Sequence, residues 1–216
     1  MELLKIFLEK ELNIKDKSIF DRFFLYNKLL LEWNSKINLI SRNSESIETQ
    51  VLNSIFFLTK YNISENLRII DIGTGGGFPG IPLKILKNDL KVTLIDSIAK
   101  KTNAVKDIIK NLELTDIEVM YGRAETFSKE ITSKKTFDLV TAKSVATLDK
   151  LFEWTKSLLK ENGETVFIKG GDITEELNTF KKKNRNISIE VIEYNFESIY
   201  EIEDKKLVII KSLRNV

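Results

Sequence analysis

The sequence predicts an α/β fold: a doubly wound sheet, mostly parallel with an antiparallel edge strand, behind an N-terminal helical cap. Three observations carry this. From Leu67 onward, short apolar runs alternate with helical segments, which is the texture of parallel βαβ units. The stretch DIGTGGGFPG, from Asp71 to Gly80, follows one such run and precedes a helix. It holds five of the chain's 9 glycines and one of its 2 prolines, with Pro82 just beyond. The last two apolar runs, ISIEVIEYNF and KKLVIIKSL, are joined by a stretch too short for a crossover helix, so they pair antiparallel at one edge.

The elements follow in order. Leu3 to Leu12 forms a first helix. A longer one carries Phe20, Phe23, Phe24, Leu30, Leu31 and Trp33 at helical spacing. A third is expected to start near Asn43 or Ser44, with Glu45 and Glu48 in its first turn and a buried stripe of Ile47, Val51, Ile55 and Leu58. The aromatic-rich face of these helices reads as core packing. LRIIDI is then a strand ending in the glycine loop. KVTLID, IEVMY, FDLVTA and ETVFIKG are further strands. Helices are expected after the loop, from Ser97, near Ala124–Ile131, from Leu148 to Lys160, and near Ile173–Lys183. The 216 residues suffice for one well-buried core. The expectation is a single domain over 1–216, with residues 1–62 as a helical extension and 63–216 as the α/β body.

Composition narrows the chemistry. With 42% hydrophobic and 31% charged residues, the chain reads as an ordinary globular protein. No apolar run reaches the roughly 18–20 residues of a bilayer span. The charged start MELLKIFLEKEL does not read as a signal peptide, so no membrane association and a cytoplasmic location are expected. There is no cysteine, which removes disulfides, zinc–thiolate sites and thiol nucleophiles. There is no histidine, the commonest metal ligand and the commonest general base near neutral pH. No metal site is expected. Lys plus Arg is 34 against 32 for Asp plus Glu, a net charge of +2. Local clusters therefore matter more than the total: Lys100-Lys101, Lys134-Lys135, and Lys181-Lys182-Lys183 with Arg185. A lysine pair on its own is ordinarily a solvated helix face.

The glycine loop has the strand–turn–helix context of a nucleotide-binding turn. Gly73, Gly75 and Gly77 permit positive φ and close backbone approach to a ligand. Pro82 suits a first helical turn. A dinucleotide fingerprint needs a third glycine where Phe78 stands. The better match is D-x-G-x-G-x-G, with Asp71 ending the strand. An acid there repels a pyrophosphate and suits a cationic ligand. S-adenosylmethionine fits, with its sulfonium, its ammonium and no phosphate. Asp96 ends the next strand, where such folds hold a ribose diol.

The motif D-x-G-[ST]-G-x-G-x-P-G-I-P-L, followed by LIDSIAKK, resembles the ribosomal RNA small-subunit methyltransferase G family (GidB). WNSKINLI upstream, and GRAETF, FDLVTAKSVATL and FIKGG downstream, extend the resemblance over most of the chain. FPGIP is its most distinctive piece. The resemblance implies a class I, Rossmann-like methyltransferase fold, S-adenosylmethionine as cofactor, and methylation of a guanine N7 in 16S ribosomal RNA. The partner would be small-subunit ribosomal RNA or the 30S particle. Separately from the resemblance, a monomer is expected. Carried over by position, Gly73 and Phe78 contact the cofactor, Asp96 holds its ribose, and Ala124 and Glu125 lie by the adenine. Lys143 stands near cofactor and substrate, where the family usually has arginine. It keeps the charge but lacks the planar five-donor fork. TQVLNS aligns with a family stretch reading Arg-His-x-x-Asp-Ser, so Gln50 replaces the histidine and Asn53 the aspartate. Lys101 also stands where arginine is common.

The residue set tolerates that reaction. Guanine N7 carries a lone pair and no proton, so its attack on a sulfonium methyl needs no base, only alignment. C5 methylation of pyrimidines ordinarily needs a thiolate. Exocyclic adenine methylation usually uses an Asn/Asp-Pro-Pro-aromatic loop, where this chain has TAKSVA. An ammonium bound to N7 would block the reaction, so guanine must be read through other atoms, with a carboxylate or backbone groups on its N1/N2 edge as candidates. Phe78 is a candidate base stacker or a packing residue beneath the cofactor. Lys36, Arg42, Lys100, Lys101, Arg123, Lys143 and Lys169 are candidate phosphate or substrate contacts. Lys143 and Lys169 are the candidate catalytic residues, Lys169 because it ends the fifth strand on the same sheet edge as the loop. The alternatives are a methyltransferase of this fold acting on another RNA site or a small molecule, and a non-catalytic ribosome-assembly or nucleotide-binding module.

Overall fold

The structure, a computed structural model, describes residues 1–130 and 136–211. Seven strands form one sheet: β1 (Arg68–Ile72), β2 (Lys91–Asp96), β3 (Ile117–Tyr121), β4 (Phe137–Lys143), β5 (Leu159–Gly170), β6 (Ser188–Glu193) and β7 (Lys205–Lys211). Their spatial order is β3-β2-β1-β4-β5-β7-β6. The first five are parallel, while β7 runs antiparallel between β5 and β6. This is the doubly wound sheet expected from the sequence, with its antiparallel pair at one edge. The switch in strand order falls between β1 and β4, where ligands bind in open α/β sheets.

Among the described residues, eight α-helices pack around the sheet: α1 (Glu2–Lys10), α2 (Lys17–Asn34), α3 (Glu48–Ile55), α4 (Gly80–Leu86), α5 (Ala99–Asn111), α6 (Ala124–Glu130), α7 (Leu148–Thr155) and α8 (Thr174–Lys183). The strands carry apolar residues on both faces, as buried parallel strands do. Ile69, Leu94, Leu139, Val166 and Leu207 enter one core with α1 to α5. Ile70, Ile72, Val140, Phe167 and Val208 enter the other, with α6 to α8. The N-terminal helices therefore share the body's own core. No helix among the described residues is long and apolar enough to cross a membrane.

Two helix boundaries differ from expectation. The third helix begins at Glu48, because side chains upstream capture the backbone that would have extended it. Asn34 Oδ1 accepts the N–H groups of Leu39 and Ile40, Asn27 Oδ1 accepts that of Ile47, and Ser46 Oγ accepts that of Glu48. The seventh helix ends at Thr155 and not at Lys160, since Leu159 already pairs with Phe137 in the sheet. A register shift follows before Glu164 pairs with Leu139. The Lys134-Lys135 pair lies outside the described residues.

Asp71 anchors the centre. Strand alternation turns it toward α4, and it is wholly buried. Its Oδ2 accepts from Thr74 Oγ1 at 2.7 Å and from the Gly80 N–H at 3.1 Å. Its Oδ1 accepts from Thr141 Oγ1 at 3.2 Å on β4. One carboxylate thus ties the loop, the start of α4 and the neighbouring strand. Gly80 sits at the tightest point of this knot, for a Cβ there would come 2.1 Å from Leu94 Cδ2. Tyr26 on α2 braces the loop from below, donating its hydroxyl to the Gly76 carbonyl at 2.8 Å.

Burial raises the Asp71 carboxyl from 3.8 to about 6 against the opposing pull of Thr74, Gly80, Thr141 and the Lys143 charge. As pH rises through this window, the unfolded chain releases the proton before the folded chain does. Stability therefore falls from pH 3.8 toward 6 and levels off above it. Asp71→Asn keeps an oxygen for Thr74 and Gly80 and offers its amide to the Thr141 hydroxyl. Unfolding in urea at a series of pH values should show the wild type losing stability relative to Asp71→Asn across that window. A pH-independent difference would contradict the burial. Gly80→Ala overpacks the α4–β2 contact and should cost about 1–3 kcal/mol in the same assay.

Candidate functional site

Of the cavities along the C-terminal ends of the parallel strands, two meet at the turn after β4. The first, of about 250 Å³, is lined by Ile72, Gly73, Ile95, Asp96, Ser97, Gly122, Arg123, Ala124, Glu125, Val145 and Trp154. The second, of about 220 Å³, is lined by Thr49, Gln50, Asn53, Lys143, Ser144, Ile168, Lys169 and Lys205. The turn after β4 divides them: Ser144 belongs to one and Val145, its neighbour, to the other. Ser144 holds a left-handed backbone with φ of 54°, uncommon for a residue with a side chain. That reversal sends successive residues into different cavities.

The first cavity gathers most of the residues expected around a ribonucleoside. Gly73 has φ of 68°, and a Cβ there would meet Val145 at 2.7 Å. Gly75 has φ of 57°, and a Cβ there would meet nothing within 4 Å, so a ligand can approach the backbone closely. Its N–H donates to Asp96 Oδ2 at 2.9 Å, while Asp96 Oδ1 accepts from the Ile98 N–H at 2.9 Å. These bonds fix the carboxylate at the end of β2 and leave each oxygen a second lone pair. Gly122, Ala124 and Glu125 follow β3 at the far end, with Trp154 of α7 and Arg123 beside them. The set offers a fixed carboxylate, a half-buried glycine backbone and an apolar wall, which suits a nucleoside. No group of three or more acidic side chains among the described residues could hold a metal.

Other expected residues lie elsewhere. Asp71 does not line either cavity, because all its described bonds go to the loop, α4 and β4. The structure gives it the role of shaping the loop, not of facing a cationic ligand. Gly77, with φ of 104°, is packed against Ile81 and Tyr26. Phe78 is only 5% exposed. Its ring centroid lies 5.5 Å from that of Tyr26, and Lys143 Nζ sits 4.9 Å from it. The ring is thus covered by Tyr26 and Lys143, which favours the packing alternative over the base stacker. Lys169 is 9% exposed and donates to the Ala146 carbonyl at 2.7 Å and Glu176 Oε1 at 2.8 Å. Its charge is neutralised by Glu176, and it clamps the turn after β4 to α8. That arrangement disfavours the free catalytic ammonium expected from the sequence. Lys36 and Arg42 line a separate pocket with Asn34, Ser35 and Asn38. Lys100 and Lys101 open α5 outside both cavities.

Lys143 ends β4 in the wall of the second cavity. Burial lowers its ammonium to about 8, Asp71 opposes the fall, and Lys205 deepens it. Lys205 escaped the sequence reading, which expected the antiparallel last strand but not which of its residues meets the end of β5. β7 starts where β5 ends, with Gly170 opposite Lys205. Trp154 and Val145 were also missed, since nothing in a helical pattern marks a residue that reaches across to a loop.

The chain matches the family described as rRNA small subunit methyltransferase G (GidB) over residues 20–207. It is 37% identical over 213 residues to the ribosomal RNA small subunit methyltransferase G of Clostridium novyi (strain NT), covering 95% of this chain and 85% of that protein. It is 38% identical over 198 residues to the protein of the same name from Thermoanaerobacter sp. (strain X514), covering 90% and 82%. Among solved structures, the tRNA (m1A58) methyltransferase TrmI from Aquifex aeolicus superposes with a TM-score of 0.59 at 15% identity, covering 88% of this chain and 76% of that one. A SAM-dependent methyltransferase from the same organism gives 0.56 at 17% identity, with 76% and 92% covered. The structural likenesses support the class I fold. The sequence matches, spanning nearly the whole chain, establish that this protein belongs to the rRNA small subunit methyltransferase G family.

Proposed function

We propose that the protein transfers a methyl group from S-adenosylmethionine to N7 of a guanine in small-subunit ribosomal RNA, free or within the 30S particle. The observation that carries this reading is the pair of cavities meeting at the Ser144–Val145 turn. One has a fixed diol acceptor and open glycine backbone. The other has polar amides and ammonium groups suited to a nucleotide. The family relatives' names supply the RNA.

S-adenosylmethionine, when bound, supplies a methyl group activated by a positively charged sulfur. The chain's part is orientation. Asp96 takes the ribose hydroxyls with its remaining lone pairs. Gly73 and Gly75 let the backbone run close to the ligand. Ala124, Glu125, Arg123 and Trp154 enclose the adenine end. Asp71, Gly77 and Phe78 act through the loop they hold. Lys143, its ammonium weakened to about 8, faces the nucleotide cavity as a contact to the acceptor. Lys169 and Glu176 keep the dividing turn in place. N7 attack releases no proton, so the absence of histidine is no handicap. Both cavities are built within one chain, which fits a monomer with residues 1–62 and 63–216 acting as a single unit. A ribosomal substrate fits a cytoplasmic location.

Labelled cofactor should pass its methyl group to small-subunit RNA, and 7-deazaguanine at the acceptor position should abolish transfer. Methylation of the deaza substrate, or of a small molecule alone, would overturn the assignment. Asp96→Ala should weaken cofactor affinity about 10–100-fold, through lost charge-assisted bonds to the ribose. Calorimetric titration with S-adenosylhomocysteine checks this, and unchanged affinity would remove Asp96 from the role.

A further inference from the structure

The second cavity contains an unexplained feature. Gln50 and Asn53 stand three residues apart on α3, so their side chains share one face of the helix. Both line the cavity. The side-chain carbonyl oxygens, Gln50 Oε1 and Asn53 Oδ1, are shielded from solvent and have no hydrogen-bond partner among the described residues. A buried acceptor left unpaired costs about 1–3 kcal/mol, so a native structure that keeps two together calls for a donor. The Asn53 amide cannot simply be turned round, because its Nδ2 already donates to the Thr49 carbonyl at 2.8 Å. Thr49 itself is engaged, donating to Glu201 Oε2 at 3.1 Å. Two acceptors therefore stand ready on one wall.

Ser144, Ile168 and three lysines complete the lining, and of the lysines Lys169 is paired with Glu176. Lys143 and Lys205 both line the cavity, and the charge of Lys205 lowers the proton affinity of Lys143. Their repulsion is relieved by an electron-rich partner, a carbonyl or a phosphate. The wanted ligand thus offers adjacent N–H donors toward α3 and acceptor atoms toward the lysines. Guanine is built this way. N1–H and the N2 amino group are donors on one edge, and O6 is an acceptor next to them. Adenine places a lone pair at N1, which would face a carbonyl oxygen. Reading guanine from this edge also leaves N7 uncovered.

We propose that Gln50 Oε1 and Asn53 Oδ1 read the N1–H and N2 amino edge of the acceptor guanine, with Lys143 and Lys205 facing its O6 and phosphate. The two amides determine which base is methylated, and they do so as neutral acceptors. This rests on the RNA reading of the preceding subsection.

The test uses small-subunit RNA carrying either guanosine or inosine at the methylated position. Inosine keeps N7, N1–H and O6 and lacks only the N2 amino group. The full-length wild type should methylate the inosine RNA about 5–150-fold more slowly in kcat/KM, the cost of one buried acceptor left unpaired. The double variant Gln50→Met/Asn53→Leu has no amide oxygen to lose a partner. It should methylate the two RNAs at equal rates while binding S-adenosylhomocysteine as the wild type does. Equal wild-type rates on guanosine and inosine RNA would overturn the proposal, and this comparison needs no variant to fold. A double variant that binds S-adenosylhomocysteine normally and still prefers guanosine would overturn it too. Both results leave the methyltransferase reading standing. No transfer by the wild type to guanosine RNA would overturn that reading and this one with it.

Discussion

The Asp71 carboxylate accepts hydrogen bonds from Thr74, Gly80 and Thr141 while wholly shielded from water, and the surrounding architecture is arranged about those three bonds. Thr74 lies within the glycine loop, Gly80 begins α4, and Thr141 belongs to the strand across the topological switch. Holding all three with one group fixes how far the loop stands from the sheet. That distance decides whether Gly73 and Gly75 can present bare backbone to a ligand. The buried charge has a cost, seen in the raised proton affinity of Asp71, and the three bonds and nearby Lys143 offset it.

From this anchor the site spreads along the strand ends. Asp96 is aligned by the loop itself through the Gly75 N–H, so the carboxylate at the end of β2 and the glycine loop are tied together. The left-handed backbone of Ser144 then separates two chemistries in a single residue step. Lys169 holds this divider through the Ala146 carbonyl, and Glu176 secures Lys169. A lysine at a strand end is thereby put to structural use, and the less tightly held ammonium groups are those of Lys143 and Lys205.

The N-terminal helices are more than a cover. Tyr26 supports the loop, and α3 supplies Gln50 and Asn53 to the second cavity. The polar wall opposite the lysines thus comes from a segment that precedes the first strand. The same core that buries Val51 and Ile55 of α3 also buries Ile69 and Leu94 of the sheet, so the position of the amides is set by packing.

The sequence alone determined the doubly wound sheet, the antiparallel pair at its edge, the loop and the acid at the end of β2. Those features rest on local signals: apolar run length, helical spacing, a glycine cluster between a strand and a helix, and a connection too short for a crossover. The residues' partners were another matter. Asp71 and Asp96 stand at or next to the ends of β1 and β2, yet strand alternation and the path of the loop turn one into the core and place the other in a cavity wall. Phe78 and Lys143, 65 positions apart in number, meet because β1 and β4 are neighbours. Lys169 and Lys205 both sit at the C-terminal end of the sheet, but among the described residues only Lys169 is paired with a glutamate. Lys205, Gln50 and Asn53 converge from α3 and the last strand, and no periodicity in either segment records that meeting. Tertiary packing decided these pairings, because a side chain's electrostatics depend on what the fold brings within a few ångströms of it.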